Sequence, residues 1–377
     1  MSIKAVSTFS LKDQLFNAKT LAKLSSRLQA AHPAFPGKRF ERAVLAKFPD
    51  LELKQRIGWM VTSLGEHLPG NFPAALEILH RALPEPLDPT RTDDDFGEFI
   101  WVVPGEYVAR YGCSRKHLGP ALAFLREATK RFSSESAIRP FLRAFPAETL
   151  EFVQTCTGDA NYHVRRLASE GIRPFLPWAP RVELPVGDVI AVLDRLHADS
   201  TRYVTRSVAN ALNDVSKVES ELAISTLQRW HGLQLQRADE LHWMTRHALR
   251  TLVKRDSAPA LELLGYPTRP QFQVTRVQSS PRVIVGEAFE WQCTLRSLIA
   301  QRLRVALRVH FLKSNGRHSH KVFSVADAAL GKGERLAISK RLPLRPATTR
   351  TLYPGTHFAE LVVNGVPGKR RAFELIG

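Results

Sequence analysis

Apolar positions along the first two thirds of the chain recur with the 3.6-residue period of amphipathic helices. One predicted helix covers 115–132, where Leu118, Leu122 and Leu125 share a face. Another covers 217–231, with a broad apolar stripe formed by Val218, Leu222, Ile224, Leu227 and Trp230. No segment before residue 265 has a convincing strand pattern, so this part of the chain is predicted to be helical throughout.

Three of the predicted helices share a pattern. The segments NYHVRRLASEG, RYVTRSVANAL and HWMTRHALRTL align so that Arg165, Arg206 and Arg246 match, each three residues after an aromatic side chain. The pentapeptide IRPFL also occurs twice, at 138–142 and at 172–176. Helical repeats of about 40 residues indicate a HEAT-like array, in which helix pairs stack into a right-handed α-solenoid. Such stacking predicts a row of arginines along one face.

The pattern changes near residues 266–270. Beyond this point, seven segments alternate between apolar and polar residues with the period of strands: FQVTRVQ, EAFEWQCTLRS, LRVALRVHFL, HKVFSV, RLAISKRL, THFAELVVN and KRRAFELIG. Seven short strands within roughly 110 residues predict an immunoglobulin-like β-sandwich. The predicted fold is therefore mostly α, with a helical-repeat domain at 1–265 and a small β-sandwich at 271–377. Because Cys293 is the only cysteine after residue 265, the inter-sheet disulfide of antibody domains is excluded.

The net charge of the chain indicates the kind of partner that it binds. The 377 residues carry a net charge of +18, which favours binding to a polyanion. Residues 266–377 hold 19 Lys and Arg against 6 Asp and Glu, whereas the preceding residues hold 35 against 30. The predicted β-sandwich is thus the more basic part, and we expect it to clamp phosphates. The alternative is charge that only keeps the domain soluble.

Cysteine usage and the N-terminus bear on the compartment. Cys113, Cys156 and Cys293 are isolated and odd in number, which is typical of buried thiols in a reducing environment. The first 20 residues lack the apolar core of a signal peptide, and no apolar run reaches about 18 residues. We therefore expect a cytoplasmic protein that does not associate with membranes.

The segment NYHVRRLASEGIRPFLPWAP places one acid among arginines. Val164, Leu167, Ala168 and Gly171 are predicted to form a buried stripe, and His163, Arg166, Glu170 and Arg173 share another face. Glu170 therefore has an arginine about one turn away in each direction. Without further information, the plain interpretation is a solvated row of charge pairs, each worth about 0.2–0.5 kcal/mol.

Two neighbouring features favour a functional interpretation. The prolines that follow the helix would hold Trp178 rigidly beside the same face, although a core tryptophan is the alternative. Glu135 precedes the first IRPFL much as Glu170 precedes the second, so stacked repeats could bring both acids to one surface. The alternative for Glu135 is an acid in the first turn of a helix capped by Ser133 or Ser134.

Carboxylates and an indole on a basic surface suit cleavage of an N-glycosidic bond. Positive charge develops on the sugar in the transition state, and a carboxylate stabilises it and can orient water. An indole adds a cation–π attraction of about 0.5–2 kcal/mol. Arginines would hold the flanking phosphates. The sequence contains neither a phosphate-binding P-loop nor an H-E-x-x-H zinc motif.

These residues resemble the AlkC branch of bacterial DNA alkylation-repair glycosylases, which is related to AlkD. The resemblance rests on NYHVRRLASEGIRPFLPWAP, on SSESAIRPFL before it and on YVTRSVANALNDVSK after it. It implies HEAT-like repeats with a C-terminal immunoglobulin-like domain. It also implies removal of cationic N3-alkylated bases, chiefly 3-methyladenine with 3-methylcytosine as a further candidate, without a metal, a cofactor or full flipping of the base.

The resemblance assigns catalysis to Glu135, Glu170 and Trp178, with Glu135 as the catalytic group and the other two as cation stabilisers. The candidate DNA contacts are His163, Arg165, Arg166, Arg173, Arg206 and Arg246. The expected partner is double-stranded DNA carrying alkylated bases, bound by a monomer with no obligate protein partner. The alternative function is a non-catalytic scaffold that binds DNA or protein, since a HEAT-like fold does not fix function.

Overall fold

The structure is a computed structural model that describes residues 10–91, 96–345 and 351–377. Within these ranges the chain forms sixteen α-helices followed by nine strands. The helices are α1 (Leu11–Leu15), α2 (Ala18–Ala31), α3 (Gly37–Lys47), α4 (Leu53–His67), α5 (Phe72–Ala82), α6 (Val102–Tyr111), α7 (Leu118–Ala128), α8 (Arg139–Ala144), α9 (Pro146–Cys156), α10 (Tyr162–Gly171), α11 (Val186–Leu196), α12 (Arg202–Val215), α13 (Ser220–Leu233), α14 (Ala238–Ala248), α15 (Arg250–Lys254) and α16 (Ala258–Leu263). None of them has both the length and the apolar character that a bilayer span requires.

Both helices predicted from periodicity are present with shifted ends. The segment 115–132 forms a helix only at Leu118–Ala128, and 217–231 forms one at Ser220–Leu233. Val218 was wrongly placed in the apolar stripe, because it precedes the start of α13 and is 59% exposed.

The chain divides into two compact units. One holds the chain up to Val218 together with Leu233–Ala248, and the other holds Glu219–Gly232 together with Leu249–Gly377. In the first unit, α10 packs against α12 and α12 packs against α14, so the three helices with matching arginines are successive neighbours. The predicted functional domains, 1–265 and 271–377, divide the chain at other residues and stay predictions.

Side-chain capping fixes where several helices begin. The Asn17 side chain accepts hydrogen bonds from the backbone N–H groups of Lys19 and Thr20. In return, the Thr20 hydroxyl oxygen accepts the backbone N–H of Asn17 at 3.1 Å. The Asn161 side chain accepts the backbone N–H of His163 at 2.9 Å, which starts α10. Such caps satisfy the N–H groups that have no partner within the helix.

The second unit contains a two-sheet sandwich. Its strands are β1 (Phe272–Ser279), β2 (Arg282–Ile284), β3 (Ala288–Ser297), β4 (Gln301–Leu312), β5 (His318–Leu330), β6 (Arg335–Pro343), β7 (Gly355–Val363), β8 (Val366–Pro367) and β9 (Arg371–Ile376). One sheet has the order β1-β3-β6 and the other β2-β9-β7-β4-β5, with β8 paired to β7. All seven predicted strands are present. The short strands β2 and β8 were not predicted, because two or three residues cannot show an alternating pattern.

The sandwich core follows the alternation along β3. Phe289, Trp291, Cys293 and Leu295 point inward and are at most 5% exposed.

Ion pairs connect the helical segment before the sandwich to strand β4. Asp256, 5% exposed at its side chain, pairs with Arg308 at 2.5 Å and with Arg304 at 3.5 Å. These buried pairs explain why the second unit begins well before the first strand.

Candidate active-site cleft

Helix α10 buries both of its faces. Leu167 and Ala168 are fully buried, as predicted, but Glu170 on the other face is only 5% exposed. The interpretation of Glu170 as part of a solvated row of charges is therefore wrong. Helix α12 packs against α10 and covers this face.

A hydrogen-bonded network holds the Glu170 carboxylate. Arg173 Nη1 donates to Glu170 Oε1 at 2.6 Å, and Ser207 Oγ on α12 donates to Oε2 at 2.7 Å. Arg173 Nε in turn donates to Asp214 at 3.0 Å. Burial opposes ionisation of Glu170, but Arg166, Arg173 and Ser207 outweigh it and lower the pKa of Glu170 below its usual value. Glu170 is thus a buried anion.

Arg166 connects the two acids that the sequence singled out. Its Nη1 lies 3.4 Å from Glu135 Oε2, and its Nη2 lies 3.8 Å from Glu170 Oε1. The guanidinium also packs over the ring of Tyr203, 4.6 Å from the centroid. Burial disfavours its charge, but the two carboxylates outweigh burial and raise the pKa of Arg166. Glu135 and Glu170 therefore lie on the same side of the helical array.

Glu135 occupies a turn rather than the first turn of a helix. Residues 135–138 form a turn, and α8 begins only at Arg139, with Ile138 at the N-cap position and no side-chain cap. The expectation that Glu135 sits in a capped first helical turn is therefore wrong. Its side chain keeps 25% exposure, in contrast to that of Glu170 at 6%. Of the two acids, Glu135 is the one that solvent and a ligand can reach.

Trp178 projects from the loop that follows α10. It is 74% exposed, so the alternative of a core tryptophan is wrong. Its backbone has a φ of +63°, a conformation that residues with a side chain rarely adopt. Such strain persists only when surrounding contacts hold it, and it is frequent at functional sites.

Arg139 supplies those contacts from beneath the loop. This arginine is 0% exposed, and its Nη1 donates to the carbonyls of Gly171 at 2.8 Å and Arg173 at 2.9 Å. Its Nε donates to the Pro180 carbonyl, and Lys54 on α4 donates to the Trp178 carbonyl. Burial, followed by repulsion from Arg173, lowers the pKa of Arg139 to about 10, so it remains a cation at neutral pH.

A cleft of about 480 Å³ brings these elements together. Glu135, Trp178 and Glu106 line it, with Lys54 and Arg110 as its cations. Apolar walls come from Leu53, Ile57, Val61, Phe99, Val102 and Phe132. Glu170 does not line the cleft, but Arg166 contacts both Glu170 and the cleft residue Glu135.

The candidate DNA contacts occupy varied surroundings. His163 is 2% exposed, Arg173 is buried in the Glu170 network, and Arg165 Nε pairs with Asp199 at 2.6 Å. Arg206 is half-buried near the Tyr203 ring, while Arg246 is exposed. The matching arginines therefore share a helix position but differ in exposure, since Arg165 and Arg206 are half-buried and Arg246 is exposed. Phosphate binding by these residues stays a prediction.

Sequence reasoning missed Glu106, Lys54 and Arg139. Glu106 and Lys54 stand in no motif, and only the fold brings them to the loop after α10. Arg139 carried a signal, because it is the arginine of the first IRPFL and Arg173 is that of the second. The repeat thus marks two buried arginines that anchor backbone and carboxylates. Among the described residues, no cluster of His, Cys, Asp and Glu could hold a metal ion.

Comparisons with known proteins bear on both parts of the chain. Residues 273–377 match the family model described as "Uncharacterised protein YhaZ, C-terminal Ig-like domain". The uncharacterized protein YhaZ of Bacillus subtilis (strain 168) is 30% identical over 357 residues, which cover 93% of this chain and 96% of YhaZ. The solved structure of Pseudomonas fluorescens alkylpurine DNA glycosylase AlkC, bound to DNA containing an abasic site analog, is 33% identical. It covers 98% of this chain and 100% of its own, with a TM-score of 0.84.

The chain belongs to the AlkC family. The resemblance found in the segment 161–180 and its flanks is thereby confirmed. So is the predicted fold of the AlkC-family chain, a helical-repeat solenoid followed by an immunoglobulin-like domain.

Proposed function

We propose that this protein is a monofunctional DNA glycosylase that hydrolyses the N-glycosidic bond of cationic N3-alkylated bases in duplex DNA. The principal substrate is 3-methyladenine, with 3-methylcytosine as a second, and the reaction initiates base excision repair. The observation that carries the proposal is the cleft itself, where an accessible carboxylate, Glu135, lies near an exposed indole, Trp178. The similarity over nearly the whole chain to an alkylpurine DNA glycosylase supports the same chemistry.

The chemistry uses the positive charge of the substrate. As the bond between the sugar C1′ and the base nitrogen breaks, the electron pair neutralises the cationic base and leaves positive charge on the sugar. The Glu135 carboxylate stabilises that charge, and the Trp178 ring adds a cation–π contact. A water oxygen then bonds to C1′, and its proton passes to Glu135 and on to solvent.

Glu170 serves this reaction as a positioning residue. It is buried and bonded to Arg173 and Ser207, so it does not touch the substrate in this arrangement. Its negative charge holds Arg166, which in turn contacts Glu135. This refines the expected role of Glu170 as a direct stabiliser of the sugar cation.

The immunoglobulin-like domain is proposed as a phosphate clamp. Exposed cations on its three-stranded sheet support this role. In the pairing of β3 with β6, Arg296 lies directly opposite Arg335, and both are exposed. Like charges opposite one another destabilise a sheet, and an anionic ligand would offset that cost.

Release of free base from a duplex with a single 3-methyladenine tests the proposal. We expect free 3-methyladenine by mass spectrometry and an equal amount of alkali-sensitive abasic sites. Glu151→Gln, which removes an exposed carboxylate of α9, serves as the charge-matched control and should excise at the parent rate. Duplex binding without release of base by the parent would leave only the scaffold function.

A further inference from the structure

Glu106 is a carboxylate to which no described residue donates a hydrogen bond. It lies on α6, is half-buried and lines the same cleft as Glu135 and Trp178. Within the described parts of the chain it makes no hydrogen bond and no ion pair. Glu135 and Glu170, by contrast, both contact Arg166. A carboxylate withdrawn from water without a partner costs folding free energy, so its presence in a cleft indicates a ligand.

The two cations that line the cleft with Glu106 donate hydrogen bonds to other groups. Arg110, one helical turn later, is the usual kind of partner on a helix. However, Arg110 Nη1 donates to Thr62 Oγ1 at 2.7 Å and to the Gly58 carbonyl at 3.3 Å. Lys54 donates to the Trp178 carbonyl. The carboxylate of Glu106 is therefore left available to accept hydrogen bonds from a ligand.

The rest of the cleft defines the chemistry of that ligand. Leu53, Ile57, Phe99 and Phe132 give it apolar walls. A flat aromatic ring can pack on such walls, and a cationic ring with amino hydrogens can also donate to a carboxylate. Adenine and cytosine alkylated at N3 combine a positive ring with an exocyclic amino group. Uracil alkylated at N3 has a keto group in place of the amino group, so it offers an acceptor and carries no positive charge.

We propose that Glu106 contacts the base, and that its carboxylate selects alkylated bases that carry an exocyclic amino group. The inference rests on the glycosylase function proposed above and divides the cleft in two, with Glu135 serving the sugar and Glu106 the base. Only the amino edge of the lesion has to reach Glu106, so the contact is compatible with a base that is not fully flipped.

Binding measurements in a non-excising background test this assignment. In the Glu135→Gln variant, affinity is compared for two duplexes of the same sequence, one with 3-methylcytosine and one with 3-methyluracil. The two bases have nearly the same shape, but 3-methyluracil is neutral and carries a keto group instead of the amino group. We expect tighter binding of the 3-methylcytosine duplex.

Adding Glu106→Gln should lower that preference roughly 10-fold, the difference between a charge-assisted and a neutral hydrogen bond, since the glutamine oxygen still accepts. Affinity for an undamaged duplex should not change. Glu106→Asp keeps the charge and should retain part of the preference. Glu151→Gln is the charge-matched control. Added to the same background instead of Glu106→Gln, it should leave the preference for the 3-methylcytosine duplex unchanged.

The pH dependence supplies a second readout. Burial raises the pKa of Glu106, and Arg110 and Lys54 oppose the rise. The charge of Glu135 also raises this pKa, but that contribution is absent in the Glu135→Gln background. The carboxylate form is therefore lost as pH falls through a value above the usual 4.5. The preference for 3-methylcytosine should weaken over the same interval, and the Glu106→Gln variant should not show this weakening.

The outcomes separate the two proposals. If the parent releases alkylated base but Glu106→Gln leaves the preference unchanged, the role of Glu106 is refuted and the glycosylase function stands. An equal loss of affinity for damaged and undamaged duplexes also overturns it, since the effect would then be structural. If the parent releases no base, the glycosylase function fails, and the binding preference still decides whether Glu106 reads the amino group.

Discussion

Replacing Arg139 with methionine should release the loop that carries Trp178. Arg139 is 0% exposed and donates to three carbonyls, those of Gly171, Arg173 and Pro180. Methionine fills much of the same space but has no donor, so the three acceptors lose their partner. The loop that carries the left-handed Trp178 then loses three hydrogen bonds that hold its two ends.

The magnitude follows from two opposing terms. Hydrogen bonds from a charged donor are worth about 1.5–3 kcal/mol each, so three contribute roughly 5–9 kcal/mol. Burial of the cation opposes this, because a pKa lowered from 12.5 to about 10 corresponds to roughly 3 kcal/mol in favour of the neutral form. The hydrogen bonds outweigh the cost of burial, and Arg139→Met should reduce the free energy of unfolding by about 2–6 kcal/mol.

Two assays check this prediction. Denaturant unfolding gives the stability, with Arg143→Met as a control because Arg143 is exposed on the same helix. Acrylamide quenching reports chiefly on the exposed Trp178, since Trp101, Trp230 and Trp291 are buried and Trp59 and Trp243 are half-buried. The Trp178→Phe variant supplies the signal to subtract.

We expect Arg139→Met to change the quenching of Trp178 and to reduce excision while duplex binding persists. If the stability of Arg139→Met stays within about 0.5 kcal/mol of the Arg143→Met control, the range of ordinary surface substitutions, the reasoning about the clamp is refuted.

Further predictions concern the buried acid and the β-sandwich. Glu170→Gln leaves the buried Arg173 with one carboxylate partner, Asp214, instead of two, and should cost about 1.5–3 kcal/mol at neutral pH. Because the pKa of Glu170 is lowered in the folded state, its stabilisation is complete above the usual value of 4.5 and is lost as pH falls through the lower folded value. Unfolding curves of parent and variant should therefore converge in acid, and a constant difference would contradict the assignment. Arg296→Ala combined with Arg335→Ala should lower the slope of log affinity against log salt by about 2, as measured in a salt titration with undamaged duplex. An unchanged slope would exclude both arginines from phosphate contact.

The fold was largely predictable because periodicity is a local property of the sequence. Helix α10 and the seven longer strands each carry their own pattern of apolar residues. The ends of helices were harder, as α7 shows, because turns at each end continue the same apolar spacing for a few residues. Strands as short as β8 leave no pattern to detect.

The candidate site was predictable only in part. Glu135, Glu170 and Trp178 stand in or beside repeated or unusual segments, so the sequence singled them out. Their exposures could not be predicted from sequence, since a helix wheel does not show which face the next repeat covers. Glu106 was missed for a related reason, because its place in the cleft depends on packing between distant segments.

The most direct test of the account is the single-turnover rate of 3-methyladenine release by Glu135→Gln, measured with all duplex bound. The glutamine keeps the shape of the side chain but removes the charge that faces the sugar cation. We predict a rate about 10²–10³-fold below that of the parent, with duplex affinity retained. A parental rate of release by this variant would contradict the central claim that the accessible carboxylate of the cleft drives excision.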